Sequence, residues 1–185
     1  PYCVKDFKGI DPAFGTMADL QSLDSTAHQN GTKVILDWIG NHTAWDNAWV
    51  TAHPDWYTGP QTGDEQQWAD VTFLNYNKPA VCDAMQDAML YWVDEADVDG
   101  YRCDYAHGVP LDFWMKANAE IFKRKKDAIM LAETSDVRLC NAGFNLLYSW
   151  SYMYAIEGLY KGTGTFASLL SASKSEYAST PEGCE

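Results

Sequence analysis

Positive charge is scarce in this sequence: 13 lysines and arginines stand against 26 aspartates and glutamates, a formal net charge of −13 at pH 7. So acidic a chain has no electrostatic grip on nucleic-acid phosphates, and no nucleic-acid partner is expected. Long apolar runs are missing too, and with them any helical segment able to span a bilayer. Nothing at the start has the charged, apolar, small-residue order of a signal peptide. That absence carries little weight because the chain reads as beginning in mid-domain, and the compartment is left open. The five cysteines, Cys3, Cys82, Cys103, Cys140 and Cys184, form no C-x-x-C pair and have no metal-ligand spacing. The residues favour unpaired packing thiols, Cys103 above all, with a bridge involving Cys140 or Cys184 as the alternative that would indicate an oxidising environment. Glycine-rich phosphate turns, internal repeats and low-complexity segments are also absent.

What is present is enough apolar material for one core: 46% of the 185 residues are hydrophobic and 14% aromatic. Three apolar runs end in charged residues: Val34-Ile-Leu-Asp-Trp-Ile-Gly-Asn-His42, Gly100-Tyr-Arg-Cys-Asp104 and Ile129-Met-Leu-Ala-Glu133. Short β-branched runs that stop at a carboxylate read as buried parallel strands delivering Asp37, Asp104 and Glu133 to one rim. Helical patterns separate them. Thr16 and Asp19 suggest a capping box before Leu20, Leu23 and Ala27, with Gly31 as the stop before a strand over 33–37. Pro79 opens a helix whose inner stripe is Val81, Met85, Ala88, Met89, Trp92 and Ala96. Pro110 opens another, with Phe113, Trp114, Ala117 and Ile121 inward and the basic cluster 123–126 at its C-terminal end. A further strand is expected over 144–148, a last helix within 165–177, and a loosely ordered tail from Ser179.

Residues 43–78 form a long stretch with turn signals and four tryptophans, Trp45, Trp49, Trp56 and Trp68, expected to be a reduced insertion subdomain or loop. Alternating strands and helices argue for an α/β fold with a parallel sheet, and the pattern alone fits either a doubly wound sheet or part of a barrel.

The ordered segments resemble the alpha-amylase family of glycoside hydrolases. The likeness rests on Asp37-x-x-x-Asn41-His42, on Gly100-x-Arg102-x-Asp104 and on the apolar strand ending in Glu133. It extends to Tyr2-Cys-Val-Lys-Asp-Phe, Ile10-Asp-Pro-x-Phe-Gly-Thr16, Ala52-His-Pro-Asp-Trp-Tyr57 and Leu74-Asn-Tyr-Asn-Lys-Pro79. The resemblance implies a partial (β/α)8 TIM barrel, from about the end of strand 2 to strand 6 and its helix, so that residues 1–185 are a partial catalytic domain. The family's fourth motif has no counterpart, and the chain reads as a piece of an enzyme with little activity of its own.

By the same resemblance Asp104 is the nucleophile and Glu133 the general acid/base of a retaining cleavage of alpha-glucosidic bonds, in starch or maltooligosaccharides. Such chemistry needs two carboxyl groups about 5 Å apart, which neighbouring parallel strands can supply. Arg102, two residues before Asp104 on one strand face, should keep it ionised, while the apolar approach to Glu133 favours its protonated form. Tyr2, His42 and Arg102 are expected to bind substrate and Asp37 to be structural within the site. Asn41 is implied as a calcium ligand, and no organic cofactor is expected. Trp38, Trp45, Trp49 and Trp56 are candidates for outer sugar subsites, whereas Trp92 and Trp114 are expected in the core. Two departures stand out: Asp104 is followed by Tyr-Ala-His107-Gly rather than a Lys-His pair, and Asn145 occupies a place where relatives tend to carry Asp. The alternatives are transglycosylation or debranching at the same site, an inactive glucan-binding fragment, and a metal-dependent hydrolase built on Asp37, His42, Asp104 and Glu133.

Overall fold

A computed structural model describes residues 2–58 and 68–184 of the chain. The turn signals Gly59-Pro60 and Thr62-Gly63-Asp64 lie outside the described residues. Four short strands, β1 (Leu36–Ile39), β4 (Gly100–Asp104), β5 (Ile129–Ala132) and β6 (Leu146–Leu147), form one parallel sheet in the order β1-β4-β5-β6. Two more, β2 (His42–Ala44) and β3 (Val71–Phe73), pair antiparallel as a separate ribbon beside the ends of the main strands. Helices α1 (Met17–Gln29), α3 (Pro79–Ala96) and α4 (Leu111–Arg124) connect or precede the strands, α2 (Ala48–Ala52) and α5 (Arg138–Asn141) are short, and α6 (Trp150–Tyr160) and α7 (Phe166–Ser179) close the chain as a hairpin.

Local chemistry explains most of these boundaries. Thr16 and Asp19 cap α1 reciprocally, the Thr16 N–H meeting the Asp19 carboxylate at 2.8 Å. Pro79 occupies the first turn of α3, whose buried face is Val81, Met85, Ala88, Met89, Trp92, Val93 and Ala96. Helix α4 buries Phe113, Trp114, Ala117 and Ile121, as its spacing predicts, and also Asn118, which reaches the Ala142 carbonyl at 3.0 Å. Trp92 and Trp114 are core residues whose indole N–H groups donate to the Phe7 and Ala106 carbonyls. Gly100, at φ +143, begins β4 where a Cβ would sit 1.9 Å from the Ile129 carbonyl oxygen, so no other residue fits that approach.

Several expectations are corrected. The first strand runs over 36–39 rather than 33–37, which puts Asp37 inside β1, opposite Arg102, rather than at its end. The strand expected over 144–148 shrinks to two residues because Asn145 turns its side chain onto the neighbouring strand entry. Its Oδ1 accepts from the Met130 N–H at 2.8 Å and its Nδ2 donates to the Ala128 carbonyl at 2.8 Å. Helix α6 has no capping side chain and is apolar on several sides, so it gives no amphipathic period to read. Trp38 is a core residue packed on Phe7 and Tyr101, not a sugar platform. Trp49 and Trp56 pack edge to face on each other, Trp49 stacking on Phe7 and Trp56 on His53. The 43–78 stretch contains β2, α2, a 3₁₀ turn at Pro54–Trp56 and β3 among its described residues. The tail is tied down: α7 runs to Ser179, and Cys184, 8% exposed, forms a disulfide with Cys140. Cys3, Cys82 and Cys103 are unpaired, as expected of most of the cysteines, while the alternative of a bridge involving Cys140 or Cys184 holds for these two, because the chain after α7 folds back onto α5.

At the N-terminal end of the sheet, His28 of α1 fastens the entry to β4. Its Nε2 lies 2.8 Å from Asp99, and its Nδ1 lies 3.2 Å from Asp24 and 3.6 Å from Asp97, with Lys125 2.7 Å from Asp97. The hydrogen bond to Asp99 raises the His28 pKa against the opposing cost of burial, and the Asp99 and Asp24 charges raise it further. A raised folded-state value means the pairing stabilises fully below histidine's ordinary value of about 6.5 and fades as pH rises through the folded value. His28→Gln should therefore lower Tm more at about pH 5.5 than at about pH 8.5, checked by thermal melts at both; an equal loss at the two would show that His28 is not charged in the fold.

The Cys140–Cys184 bridge spans 44 residues and encloses β6, α6 and α7. Closing a loop of that size in the unfolded chain is worth roughly 2–4 kcal/mol. Cys140→Ser should lower the urea midpoint accordingly, and peptide mapping of the unreduced protein should recover the two cysteines in one linked pair. Separate alkylated peptides would refute the bridge.

Candidate active site

The candidate site lies at the C-terminal ends of β4 and β5. Residues along β4 alternate faces, so Arg102 and Asp104 share one, and register pairs Arg102 with Asp37 on one side and Leu131 on the other. Arg102 touches every acidic group of the set. Its Nη1 donates to Asp104 Oδ1 at 2.7 Å and to Asp37 Oδ1 at 2.9 Å, while its Nη2 lies 2.8 Å from Glu133 Oε1. Its Nε donates to the Tyr148 hydroxyl at 3.0 Å. Two carboxylates held by the two terminal nitrogens of one planar fork are close neighbours.

Glu133 is held by main chain as well. Its own N–H donates to the Cys103 carbonyl at 3.0 Å, and its Oε2 accepts from the Tyr105 N–H at 2.9 Å. That second bond depends on Tyr105 adopting a left-handed backbone, φ 44 and ψ 44, an uncommon conformation for an aromatic residue. Gly108 lets the ring fit, because a Cβ there would lie 2.5 Å from it. The sequence gives no sign of this strain.

Electrostatics depart from the simple expectation for Asp104. Burial raises its pKa, the hydrogen bond from Arg102 lowers it, and a hydrogen bond shared with Glu133 raises it again, leaving the carboxyl above its ordinary value. Arg102 therefore restrains the rise rather than placing Asp104 among the easily ionised carboxylates. For Arg102 itself, burial lowers the pKa, but hydrogen bonds to Asp37, Tyr148 and Asp104 outweigh it, so the cation is permanent. A permanent cation wedged among Asp37, Asp104 and Glu133 leaves no place for a divalent ion there, which argues against the metal-hydrolase alternative.

These groups open into a cavity of about 690 Å³ whose wall includes Tyr2, His42, Trp68, Tyr105, His107 and Trp150 beside Asp104 and Glu133. Tyr2 lies under the Arg102 cation, 5.9 Å from ring to guanidinium carbon, and its hydroxyl pairs with Asp37, whose charge raises the Tyr2 pKa. His42 is buried against Phe73 and Trp68, and its Nε2 sits 3.0 Å from the Tyr2 carbonyl oxygen. Trp45 is half exposed and lies outside the cavity wall, its indole donating to the Ala69 carbonyl. Trp68 and Trp150 are the aromatic walls that sequence reasoning missed. Trp68 had no strand or helix period to mark it, and Trp150 opens the helix that the sequence left unread.

Asn41 is buried behind the site. Its Nδ2 has no partner, and its Oδ1 would lie 2.9 Å from a Cβ at Gly108. Among the described residues, the one His/Cys/Asp/Glu group with ligand atoms close enough for a metal is Asp24, His28 and Asp97, at the opposite end of the sheet. Asn41 is not part of that group.

Comparison with known proteins points the same way. The catalytic-domain profile of alpha amylase matches residues 1–73. An intracellular maltogenic amylase of Bacillus subtilis is 29% identical over 71% of this chain. The crystal structure of an alpha-amylase from Lactobacillus plantarum superposes over 100% of the chain with a TM-score of 0.90 at 32% identity. That of a noncanonic maltogenic alpha-amylase, AmyB, from Thermotoga neapolitana does so with a TM-score of 0.87 at 30% identity. The chain spans 25% of the curated relative and 47% and 44% of the two solved chains. Its parallel sheet and flanking helices are accordingly part of a (β/α)8 barrel, with the carboxyl cluster at the strand ends where such barrels place their active sites. On motif order, on fold and on these matches, the chain belongs to the alpha-amylase family, as a portion of its catalytic barrel domain.

Proposed function

We propose that the protein containing this chain hydrolyses alpha-glucosidic bonds of starch or maltooligosaccharides by a retaining double displacement, with Asp104 as nucleophile and Glu133 as general acid/base. The observation that carries this reading is the single guanidinium of Arg102 bridging Asp104 and Glu133, at 2.7 and 2.8 Å. A shared cation keeps the two carboxyls close together, which supports direct attack over a water-mediated, inverting route.

In the first step a carboxylate oxygen of Asp104 attacks the anomeric carbon while Glu133 gives its proton to the departing glycosidic oxygen. In the second, Glu133 takes a proton from water as the water displaces Asp104. Arg102 balances the charge on Asp104 in the free enzyme and remains beside it as that charge moves into the glycosyl bond. Tyr2 offers a ring face to the sugar, and His42 shapes the floor of the same subsite. Asp37 holds Arg102 and Tyr2 in place. Trp150, Tyr105 and His107 would line the far wall against further glucose units, whose C–H faces suit aromatic rings. If Asn41 holds calcium in the full-length protein, its side-chain oxygen would be a ligand and the ion would be structural; no chemical step runs through it. The 43–78 stretch would serve as a reduced insertion subdomain, contributing Trp68 to the cavity.

Stereochemistry tests the mechanism. Proton NMR of the first product released from an aryl α-maltooligoside by the full-length protein should show the α anomer. Initial release of the β anomer would contradict the retaining assignment. Glu133→Gln should lose about 10²–10⁴-fold on an unactivated glucan but far less in the glycosylation step of an aryl glycoside with a good leaving group, which needs little acid help. Equal losses on both, read by burst kinetics, would mean Glu133 is not the acid.

A further inference from the structure

Arginine can meet a carboxylate in two ways: end on, with its two terminal nitrogens, or side on, with Nε and one terminal nitrogen. A side-on pair commits the fork to one carboxylate. In this site Arg102 does neither. Its Nη1 serves Asp37 and Asp104, its Nη2 serves Glu133, and its Nε donates to the Tyr148 hydroxyl at 3.0 Å. The nitrogen needed for any side-on pairing is thus taken by a neutral acceptor.

Tyr148 is well placed to do this without touching substrate. It follows β6, and its backbone N–H is fixed to the Thr134 carbonyl at 3.0 Å, one residue past Glu133. Its ring packs edge to face against Trp150 at 5.0 Å, and its centroid lies 5.6 Å from the Arg102 guanidinium carbon. It is not among the residues lining the cavity that holds Asp104 and Glu133; it lines a separate cavity with Leu147, Tyr152 and Tyr177.

We propose that Tyr148 is a positioning residue: its hydroxyl occupies Arg102 Nε and so forces the guanidinium to be divided between Asp104 and Glu133 instead of pairing side on with one carboxylate. This deepens the reading of Asp104 as nucleophile and rests on it. Without the hydroxyl, the ring can still pack, but Nε–H has lost its partner and the fork is free to turn toward a single carboxylate. Asp104 then loses the Nη1 hydrogen bond that opposes the effect of its burial.

The test compares wild type with Tyr148→Phe in the full-length protein, which keeps the ring and removes one oxygen. The first measurement is the ¹³C NMR titration of the Asp104 carboxyl, assigned by its disappearance in Asp104→Asn. The second is the pH dependence of hydrolysis of an aryl α-maltooligoside. The Asp104 midpoint should move upward by about 0.5–1 pH unit, as expected for one weakened charge-assisted hydrogen bond. The acid limb of kcat/KM should follow it in the same direction, with kcat falling and KM within about twofold, since Tyr148 lies outside the cavity wall. If the Asp104 titration shifts but wild type cleaves no glucoside, the division of Arg102 stands and the hydrolase reading alone falls. An Asp104 midpoint unchanged in a Tyr148→Phe protein with native Tm overturns the proposal, whatever the rate does. A lowered Tm with both pH profiles unmoved does the same, showing Tyr148 to be a packing residue only.

Discussion

One cation organises this site. Arg102 lies between the strand that carries Asp37 and the strand that ends before Glu133, and it contacts Asp37, Glu133 and Asp104 together. Three carboxylates brought to one rim without it would repel one another and take up protons. With it they form a single hydrogen-bonded cluster, partly screened from water, in which one position has one counter-charge to share. The fold supports this by register: Asp37 faces Arg102 across β1 and β4, and β5 stops one residue before Glu133 so that its side chain can turn back to the guanidinium and to the Tyr105 N–H.

The two ends of the sheet use charge differently. At the N-terminal end, His28, Lys125, Asp24, Asp97 and Asp99 tie α1 and the end of α4 to the entry of β4, a fastening that varies with pH. At the C-terminal end the cation at the centre is a permanently charged arginine. That division suits a barrel whose lower face holds the architecture while its upper face does chemistry. The burial that keeps Trp114, Tyr101 and Met130 away from water lies between the two, so the electrostatics of each end are set largely by their own neighbours.

Much of this was legible in sequence. The carboxylates, the arginine and their strands were marked by apolar runs with abrupt charged ends, and the helices by caps, prolines and apolar stripes. What was hidden depended on contacts remote in sequence or on backbone conformation. Tyr148 reads as one aromatic in an apolar run until β6 sets it against Arg102, 46 residues earlier. Tyr105 reveals its role only through a left-handed backbone that points its N–H at Glu133. Trp38 was misjudged because position beside a catalytic strand end does not say which face a side chain takes; a strand starting three residues later than expected puts it in the core. The disulfide was equally silent, since spacing alone cannot say that the chain after α7 returns to α5.

The central claim is that Asp104, held by Arg102 beside Glu133, becomes covalently bonded to the sugar. Incubating the full-length protein with a 5-fluoro-α-glucosyl fluoride and digesting it at low pH should yield one peptide heavier by a single fluoroglucosyl group, with the label on Asp104 by tandem mass spectrometry. Label on Glu133 or Asp37, or steady turnover of the reagent by an Asp104→Asn variant, would contradict the account.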